Sequence, residues 1–197
     1  MASYSGDCKR RLITLTFKQD WEKTLQPSGV SSSLIEAMIF QAFPNQQLKT
    51  YEVISGGCAN LNVKFYLQDG VEPYILRIYL RDPQAAELEQ HLSKRLQSLV
   101  PIPKIYYVGY LDKYSFAIMQ FMPGITLRDH LLNNNAAELD ELMFAAGAIL
   151  AKLTTVQFEC AGFFNPDLSI KEPHVSLNIL SFAQKILENP KIKTQLG

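Results

Sequence analysis

The amino-acid sequence predicts an α+β protein in which a five-stranded antiparallel sheet carries a helix on one face and a helical unit follows. Three observations support this prediction. Five segments rich in β-branched and aromatic residues precede residue 123, and one helical pattern separates the third from the fourth. Pro123-Gly124 then breaks the pattern. Beyond it, apolar residues recur at helical spacing from residue 136 to about residue 157. Strands followed by a run of helices are typical of α+β proteins.

Residues 1–47 are predicted to form an N-terminal extension that contains one strand and one helix. Residues 8–17 are the candidate strand. The helix is expected over residues 33–43, because Ser31 or Ser32 can cap its start and Pro44 cannot continue it. This extension precedes the predicted sheet.

Residues 48–121 carry the predicted sheet and its helix. The candidate strands are residues 48–54, 61–67, 74–80, 104–110 and 115–121. The second strand alternates apolar with polar residues, as expected when only one face of a strand is packed. A helix is predicted from about residue 84 to residue 98, and its leucines recur at helical spacing: Leu88, Leu92, Leu96 and Leu99. Leu92 and Leu96 are expected on the inward face of this helix, which Glu89 shares.

Residues 122–197 are predicted to begin a helical unit. The long helix from residue 136 has the apolar pattern of a buried helix face, in particular over residues 142–153. From residue 158 the chain is expected to be rich in loops, with one further helix over residues 176–188. No apolar run approaches the length needed to cross a bilayer.

Composition and charge exclude several classes of function. The hydrophobic fraction of 47% indicates a folded chain with a real core. Lysine and arginine number 19 and are balanced by 19 acidic residues, which gives no support for a nucleic-acid or anionic-membrane partner. Cys8, Cys58 and Cys160 fit neither a disulfide framework nor a zinc pattern. The N-terminus lacks the basic flank and apolar core of a signal peptide, so we expect a cytoplasmic protein.

A glycine pair joins the first two predicted strands. Gly56 and Gly57 lie between them, and Asn60 follows at the start of the second strand. Glycines leave the backbone open, so their N–H groups can face phosphate oxygens. Taken alone, the pair is weak evidence for such a site, because most Gly-Gly hairpins are plain turns.

The order of elements, together with five groups of residues, resembles the small lobe of a protein-kinase-like fold followed by the start of a helical large lobe. More specifically, it is similar to the aminoglycoside phosphotransferase and choline kinase family. The resemblance covers roughly residues 51–164. The residues that carry it are Gly56-Gly57 with Asn60, Leu76-Arg77, Glu89, residues 100–103 and residues 119–124.

The resemblance implies that the glycine turn covers the phosphates of a nucleotide and that Arg77 holds the α- and β-phosphates. Arg77 shares a strand face with Ile75 and Tyr79, where a cation needs a partner. Glu89 is the favoured partner and Glu87 is its rival. The alternatives are an arginine that reaches water and a solvated helix carboxylate.

The segment before Pro123 would bind the base of the nucleotide. The resemblance implies that Met119 lies at the back of the pocket, that Gln120 offers its carbonyl and that Met122 offers its N–H. The residues expected to form the apolar roof are Ile75 with Leu61 or Val63. ATP and GTP both remain open, because backbone groups recognise the base.

The catalytic loop of the family has no counterpart in the printed sequence. That loop reads His-x-Asp followed four residues later by Asn, and it supplies the base and the Mg²⁺ ligands. None of His91, His130 and His174 is followed by this pattern, and His91 is expected at the surface. We therefore expect the loop, and Mg²⁺ with it, in a part that follows residue 197.

These observations leave three hypotheses for the function of the chain. The first is the nucleotide-binding half of an ATP-dependent phosphotransferase that acts on a hydroxyl of a small metabolite or antibiotic. The second is a non-catalytic module of pseudokinase type, and the third is a scaffold without a nucleotide site. A partial large lobe would expose apolar helix faces, so self-association is expected.

Overall fold

The computed structural model describes residues 30–54, 59–132 and 139–173. The described helices are α1 (Ser32–Ala42), α2 (Ala85–Leu96), α3 (Leu127–Leu132) and α4 (Leu139–Leu153). The described strands are β1 (Leu48–Ile54), β2 (Asn60–Leu67), β3 (Tyr74–Tyr79), β4 (Ile105–Leu111), β5 (Tyr114–Gln120), β6 (Gly162–Phe164) and β7 (Ile170–Pro173). The predicted strand over residues 8–17, the glycine pair Gly56-Gly57 and the predicted helix over residues 176–188 lie outside these ranges.

The first five strands form one antiparallel sheet in the order β1-β2-β3-β5-β4. This confirms the predicted five-stranded sheet, and each predicted strand boundary lies within one residue of the observed one. The two-residue turn at Asp112-Lys113 joins β4 to β5, and Asp112 takes a positive φ of 53°, which aspartate tolerates better than most residues. In the described residues no helix is long and apolar enough to span a bilayer.

One face of the sheet packs against α1. Ser31 caps this helix, because its hydroxyl accepts the backbone N–H of Leu34 at 3.2 Å. Met38 on α1 is fully buried among sheet residues such as Phe65 and Phe116. The predicted helix is therefore present, and it belongs to the main core of the sheet.

The opposite face of the sheet packs against α2 through small side chains. Ala86 and Ser93 are the buried residues of this helix, and Ser93 donates a hydrogen bond to the carbonyl of Pro103 at 3.1 Å. Leu92 and Leu96 are only half-buried, so the expectation that the leucines form the inward face is wrong. Alanine and serine let the helix backbone approach the sheet closely, which turns the larger leucines to the side.

The chain changes direction after β5. Gly124 has a φ of 135°, a conformation that favours glycine, which explains the residue type at this break. The short helix α3 was not predicted. Its sequence signal is Thr126 followed three residues later by Asp129: the Thr126 hydroxyl accepts the Asp129 N–H at 3.1 Å and donates to its carboxylate at 2.7 Å.

The helical unit differs from the expectation in two respects. No residue of α4 is buried by the described part of the chain, and Phe144 on this helix is 81% exposed. The buried face predicted for residues 142–153 is therefore wrong for the described residues, because no described element covers it. In addition, β6 and β7 pair as a hairpin where loops were expected.

Candidate functional site

The site is built on the face of β3 that α2 covers. Side chains of antiparallel partners share a face, and Arg77 pairs with Asn62 on β2 and with Ala117 on β5. Ile75 and Tyr79 flank Arg77 on the same face and lie in the smaller of the two described core clusters. Leu76 and Ile78 point to the α1 face, as the alternation predicts.

Arg77 is held by an acidic residue of α2. Its Nη1 donates to both carboxylate oxygens of Glu89, at 2.9 and 3.2 Å, and its Nε donates to Oδ1 of Asn62 at 3.0 Å. The two charged side chains are 31% and 35% exposed, so water screens part of their attraction. Within the described residues, Nη2 of Arg77 makes no hydrogen bond. The guanidinium is thus held through Nε and Nη1, and Nη2 is left as a donor.

Tyr79 holds Glu89 from the other side. Its hydroxyl donates to Oε2 of Glu89 at 2.6 Å, and the residue is only 3% exposed. Burial raises the pKa of Tyr79 well above its ordinary value, and the adjacent Glu89 carboxylate raises it further. The hydroxyl therefore keeps its proton at neutral pH and acts as a fixed donor.

The sequence did not single out Asn62 or Tyr79 as site residues. Both could have been found from strand alternation, because Tyr79 comes two residues after Arg77 and Asn62 lies on the polar side of β2. Glu87, the rival of Glu89, lies beside Tyr110 instead. Burial raises the pKa of Tyr110, and its hydrogen bond to Glu87 adds to the rise.

His91 is not a free surface residue. It is half-buried, and its Nδ1 lies 2.7 Å from the carbonyl oxygen of Pro166. The expectation that it points to solvent is wrong, because the turn between β6 and β7 returns to the side of α2.

The segment expected to contact the base lies next to Arg77. Met119 is 4% exposed and pairs with Ile75 across the sheet. Gln120 and Lys104 bond each other: the Gln120 backbone N–H donates to the Lys104 carbonyl at 2.8 Å, and the Lys104 N–H donates to Oε1 of Gln120 at 3.3 Å. Met122 follows the strand and is exposed. Ile75 and Met119 therefore lie side by side on the sheet face of Arg77, and Gln120 and Met122 follow Met119 along the chain.

Leu61 and Val63, one of which was expected in the apolar roof of the base pocket, do not lie on the sheet face of Arg77. Both are buried in the core cluster that α1 covers, so this expectation is wrong. The reason is register: Lys64, not Val63, pairs with Ile75. Lys64 lies 4.8 Å from the centre of the Phe121 ring and 3.2 Å from Glu52, whose carboxylate raises the pKa of the lysine.

The phosphate end of the proposed site is only partly described. Asn60 pairs with Tyr79 and therefore lies on the face of Arg77, at the start of β2. Gly56 and Gly57 lie outside the described residues. In the described ranges no group of three histidine, cysteine or acidic side chains could hold a metal ion. Arg77 and Asn60 offer donors for an anion on this face of the sheet.

Replacing Tyr79 with Phe tests the hydrogen bond to Glu89. We expect a loss of about 1.5 kcal/mol in the free energy of unfolding at pH 7, the usual contribution of a hydrogen bond to a charged group. Above about pH 10 the unfolded chain loses its tyrosine proton first. The advantage of the wild type over Tyr79→Phe should then shrink by up to about 1.4 kcal/mol per pH unit.

Urea unfolding of both proteins between pH 7 and pH 11 measures this difference. Comparing the two proteins cancels the contribution of the other titrating groups. A difference that stays constant through pH 11 would contradict the assignment.

Comparisons with known proteins identify the family and the fold of the chain. The family model described as the phosphotransferase enzyme family (APH) matches residues 50–174, which is more than half of the chain. A search of curated proteins with the sequence found no match.

Solved structures show a similar fold. Aminoglycoside phosphotransferase APH(4)-Ia has 16% identity and a TM-score of 0.57, over 72% of this chain and 46% of that one. A thermostable mutant of it, in a ternary complex with ADP and hygromycin B, has 17% identity and a TM-score of 0.54, over 70% of this chain and 45% of that one. A further mutant, in a ternary complex with AMP-PNP and hygromycin B, has 16% identity and a TM-score of 0.55, over 70% of this chain and 45% of that one.

This chain therefore spans less than half the length of the solved structures that it matches. At these identities the likeness establishes the fold, which is the protein-kinase-like fold that the resemblance implied. The match to the family model covers both the sheet from β1 onward and the helices α2 to α4. The chain belongs to the phosphotransferase enzyme family.

Proposed function

We propose that the chain is the nucleotide-binding half of an ATP-dependent small-molecule phosphotransferase. The observation that supports this most strongly is the ion pair between Arg77 and Glu89, which fixes a guanidinium between the sheet and α2. Membership of the phosphotransferase family supports the same proposal. So do the ADP and AMP-PNP bound to structures with the same fold.

In this proposal Arg77 holds the α- and β-phosphates. A guanidinium offers forked donors that match phosphate oxygens, and Nη2 is the group that remains for them. Asn62, Glu89 and Tyr79 keep the fork in one orientation, so little entropy is lost when the nucleotide binds. Asn60 and the glycine pair Gly56-Gly57 would add donors to the phosphates.

The base would lie against Ile75 and Met119, with backbone groups of Gln120 and Met122 at its edge. The γ-phosphoryl group would pass to a hydroxyl of a small acceptor, so the reaction would be that of a phosphotransferase with an alcohol acceptor. The base that orients the hydroxyl, and the ligands of Mg²⁺, would come from residues that follow residue 197. Hygromycin B is bound in two of the similar solved structures, which supports a small hydroxylated acceptor.

A second candidate is a non-catalytic nucleotide-binding module of pseudokinase type. The observation that favours it is that none of the three histidines is followed by the His-x-Asp-x₄-Asn pattern. The two candidates differ in the sequence that follows residue 197. They also differ in whether Mg²⁺ strengthens nucleotide binding by the whole protein.

Equilibrium binding of ATP to the purified chain, measured by titration calorimetry, tests the shared part of the proposal. We expect saturable binding by the wild type, and a parallel titration with GTP tests which base is preferred. Failure of the wild type to bind either nucleotide at millimolar concentration would rule out both nucleotide-binding candidates and favour a scaffold.

Replacing Glu89 with Gln is expected to weaken ATP binding about tenfold. Glutamine keeps the size and the acceptor oxygen but removes the charge that holds Arg77, and one charge-assisted interaction of about 1.4 kcal/mol corresponds to a factor of ten. Glu87→Gln is the matched control, since it removes the same charge from the same helix beside Tyr110. Equal losses in both variants would contradict the role of Glu89.

Self-association and a cytoplasmic location belong to the same proposal. Exposed apolar side chains on α4 support self-association through this helix: Leu142, Met143, Phe144 and Leu150. Sedimentation equilibrium of the purified chain should detect oligomers. Replacing Phe144 with Ser should shift the distribution toward monomer, and a monomeric wild type at high concentration would contradict the proposal. The few, widely spaced cysteines support a reducing compartment.

A further inference from the structure

The segment of residues 157–166, which we call the α2 clasp, follows α4 and includes β6 and the start of the turn between β6 and β7. It bonds to the second half of α2 at two points. No local pattern predicts this contact, because the two bonds join residues that are 62 and 75 positions apart along the chain.

His91 makes the first bond of the clasp. Its Nδ1 lies 2.7 Å from the carbonyl oxygen of Pro166. A carbonyl oxygen can only accept a hydrogen bond, so Nδ1 must carry the proton. His91 follows Glu89 by two positions on the same helix, so this bond acts close to the carboxylate that holds Arg77.

Arg95 makes the second bond, one turn further along α2. Its Nη2 donates to the carbonyl of Gln157 at 2.9 Å, and its guanidinium lies 4.4 Å from the centre of the Phe158 ring. Phe158 in turn packs on Phe164 of β6 at 4.6 Å. The arginine therefore links α2 to the end of α4 and to the hairpin together.

Among the described residues, no hydrogen bond joins the first half of α2 to the hairpin of β6 and β7. There a cavity of about 440 Å³ separates the start of the helix from the hairpin. Its lining includes Gln84 and Leu88 from the side of α2, and Phe164 and Lys171 from the hairpin. On this side of the helix, its position therefore depends on the bonds made by His91 and Arg95 rather than on continuous packing.

We propose that the α2 clasp holds α2 in the position at which Glu89 reaches Arg77, so that His91 and Arg95 are positioning residues of the nucleotide site. The consequence for the nucleotide rests on the proposed function. An α-helix moves as a rigid body, so releasing its second half would shift the Glu89 carboxylate relative to Arg77. The bonds to Arg77 at 2.9 and 3.2 Å have little tolerance for such a shift.

A double-mutant cycle in the 197-residue chain tests the positioning without any nucleotide. The cycle combines Arg77→Met and Glu89→Gln, and urea unfolding gives the coupling between the two side chains. The same cycle is then measured in the background of Arg95→Ala. We expect the coupling, expressed as a ratio of unfolding constants, to fall at least threefold. An unchanged coupling would overturn the proposal.

Two further variants separate positioning from general stability. Lys94→Ala removes a charge from the exposed neighbour of Arg95 and should leave the coupling intact. Phe158→Leu removes the ring from the other side of the contact and should reduce the coupling as Arg95→Ala does. A loss of coupling in Lys94→Ala as large as in Arg95→Ala would overturn the proposal, since any charge loss on α2 would then suffice.

ATP titration of the same variants connects the clasp to the site. Arg95→Ala should weaken ATP binding about fivefold, and Lys94→Ala should not. If the wild type fails to bind ATP, the proposed function falls while the double-mutant cycle still decides whether the clasp positions Glu89. If the wild type binds ATP and Arg95→Ala binds it equally well, the role of the clasp at the nucleotide site is overturned and the proposed function stands.

Discussion

Replacing Arg77 with Met is expected to weaken ATP binding by the chain about 100-fold. Methionine keeps an unbranched side chain of similar length but removes the guanidinium that would hold two phosphate groups. Two charge-assisted hydrogen bonds contribute about 3 kcal/mol in total, which corresponds to a factor of about 100. Titration calorimetry at constant ionic strength measures the change.

Arg77→Met is also expected to lower the stability of the fold, and a double variant separates this effect from the loss of ATP binding. Arg77→Met leaves the Glu89 carboxylate without its cation, which costs stability because that carboxylate is about two-thirds covered. The double variant Arg77→Met with Glu89→Gln removes this unpaired charge, so it should regain stability while remaining unable to bind ATP. Recovery of ATP binding in the double variant would contradict the role of Arg77.

Lys49→Met provides the matched control for charge. Lys49 is exposed near the start of β1, at the end of the sheet opposite to the connection between β1 and β2. Lys49→Met removes the same unit of positive charge as Arg77→Met, and its affinity for ATP should match that of the wild type within a factor of two. Arg77→Lys should bind ATP with intermediate affinity, since an ammonium keeps the charge but lacks the fork.

The sheet was predictable because its signals are local. Alternation of apolar and polar residues along β2 and the small turns between strands are properties of short segments. The pairing of Arg77 with Glu89 was also predictable from the sequence. Strand alternation gave the face of Arg77, and a helix that crosses that face can present only a few carboxylates to it.

The roof of the proposed site could not be assigned in the same way. Leu61 and Val63 were expected above the base because they are apolar, but the sheet has two apolar faces and α1 covers the one that they occupy. Which face of β2 meets α1 depends on the register of β2 with β3. Register is a long-range property that the sequence of one strand does not contain.

Helix orientation was the other point at which local reasoning failed. A stripe of leucines predicted the inward face of α2, yet Ala86 and Ser93 lie against the sheet. The reason is the polar contact: Glu89 lies between them along the helix and must reach Arg77, which rotates the small residues inward. The bonds of His91 and Arg95 to the α2 clasp fix the opposite side of the helix.

The assignment of residues 1–47 as a separate extension remains a prediction, and one substitution in α1 tests it. Met38→Ala is expected to lower the free energy of unfolding by about 2–5 kcal/mol, because Met38 is fully buried in the main core. Phe40→Ala on the same helix is the control. Phe40 is 62% exposed, so its loss should change stability by less than about 0.5 kcal/mol.

Urea unfolding followed by circular dichroism compares the two variants. If α1 folds as one unit with the sheet, Met38→Ala lowers the midpoint of a single transition that involves helix and sheet together. If residues 1–47 form an independent extension, Met38→Ala leaves that transition in place and only removes helical signal before it. Since Met38 contacts the same cluster as Phe116 on β5, we expect the first outcome. The functional small lobe would then begin at α1, with the nucleotide site on the face of the sheet that α1 leaves open.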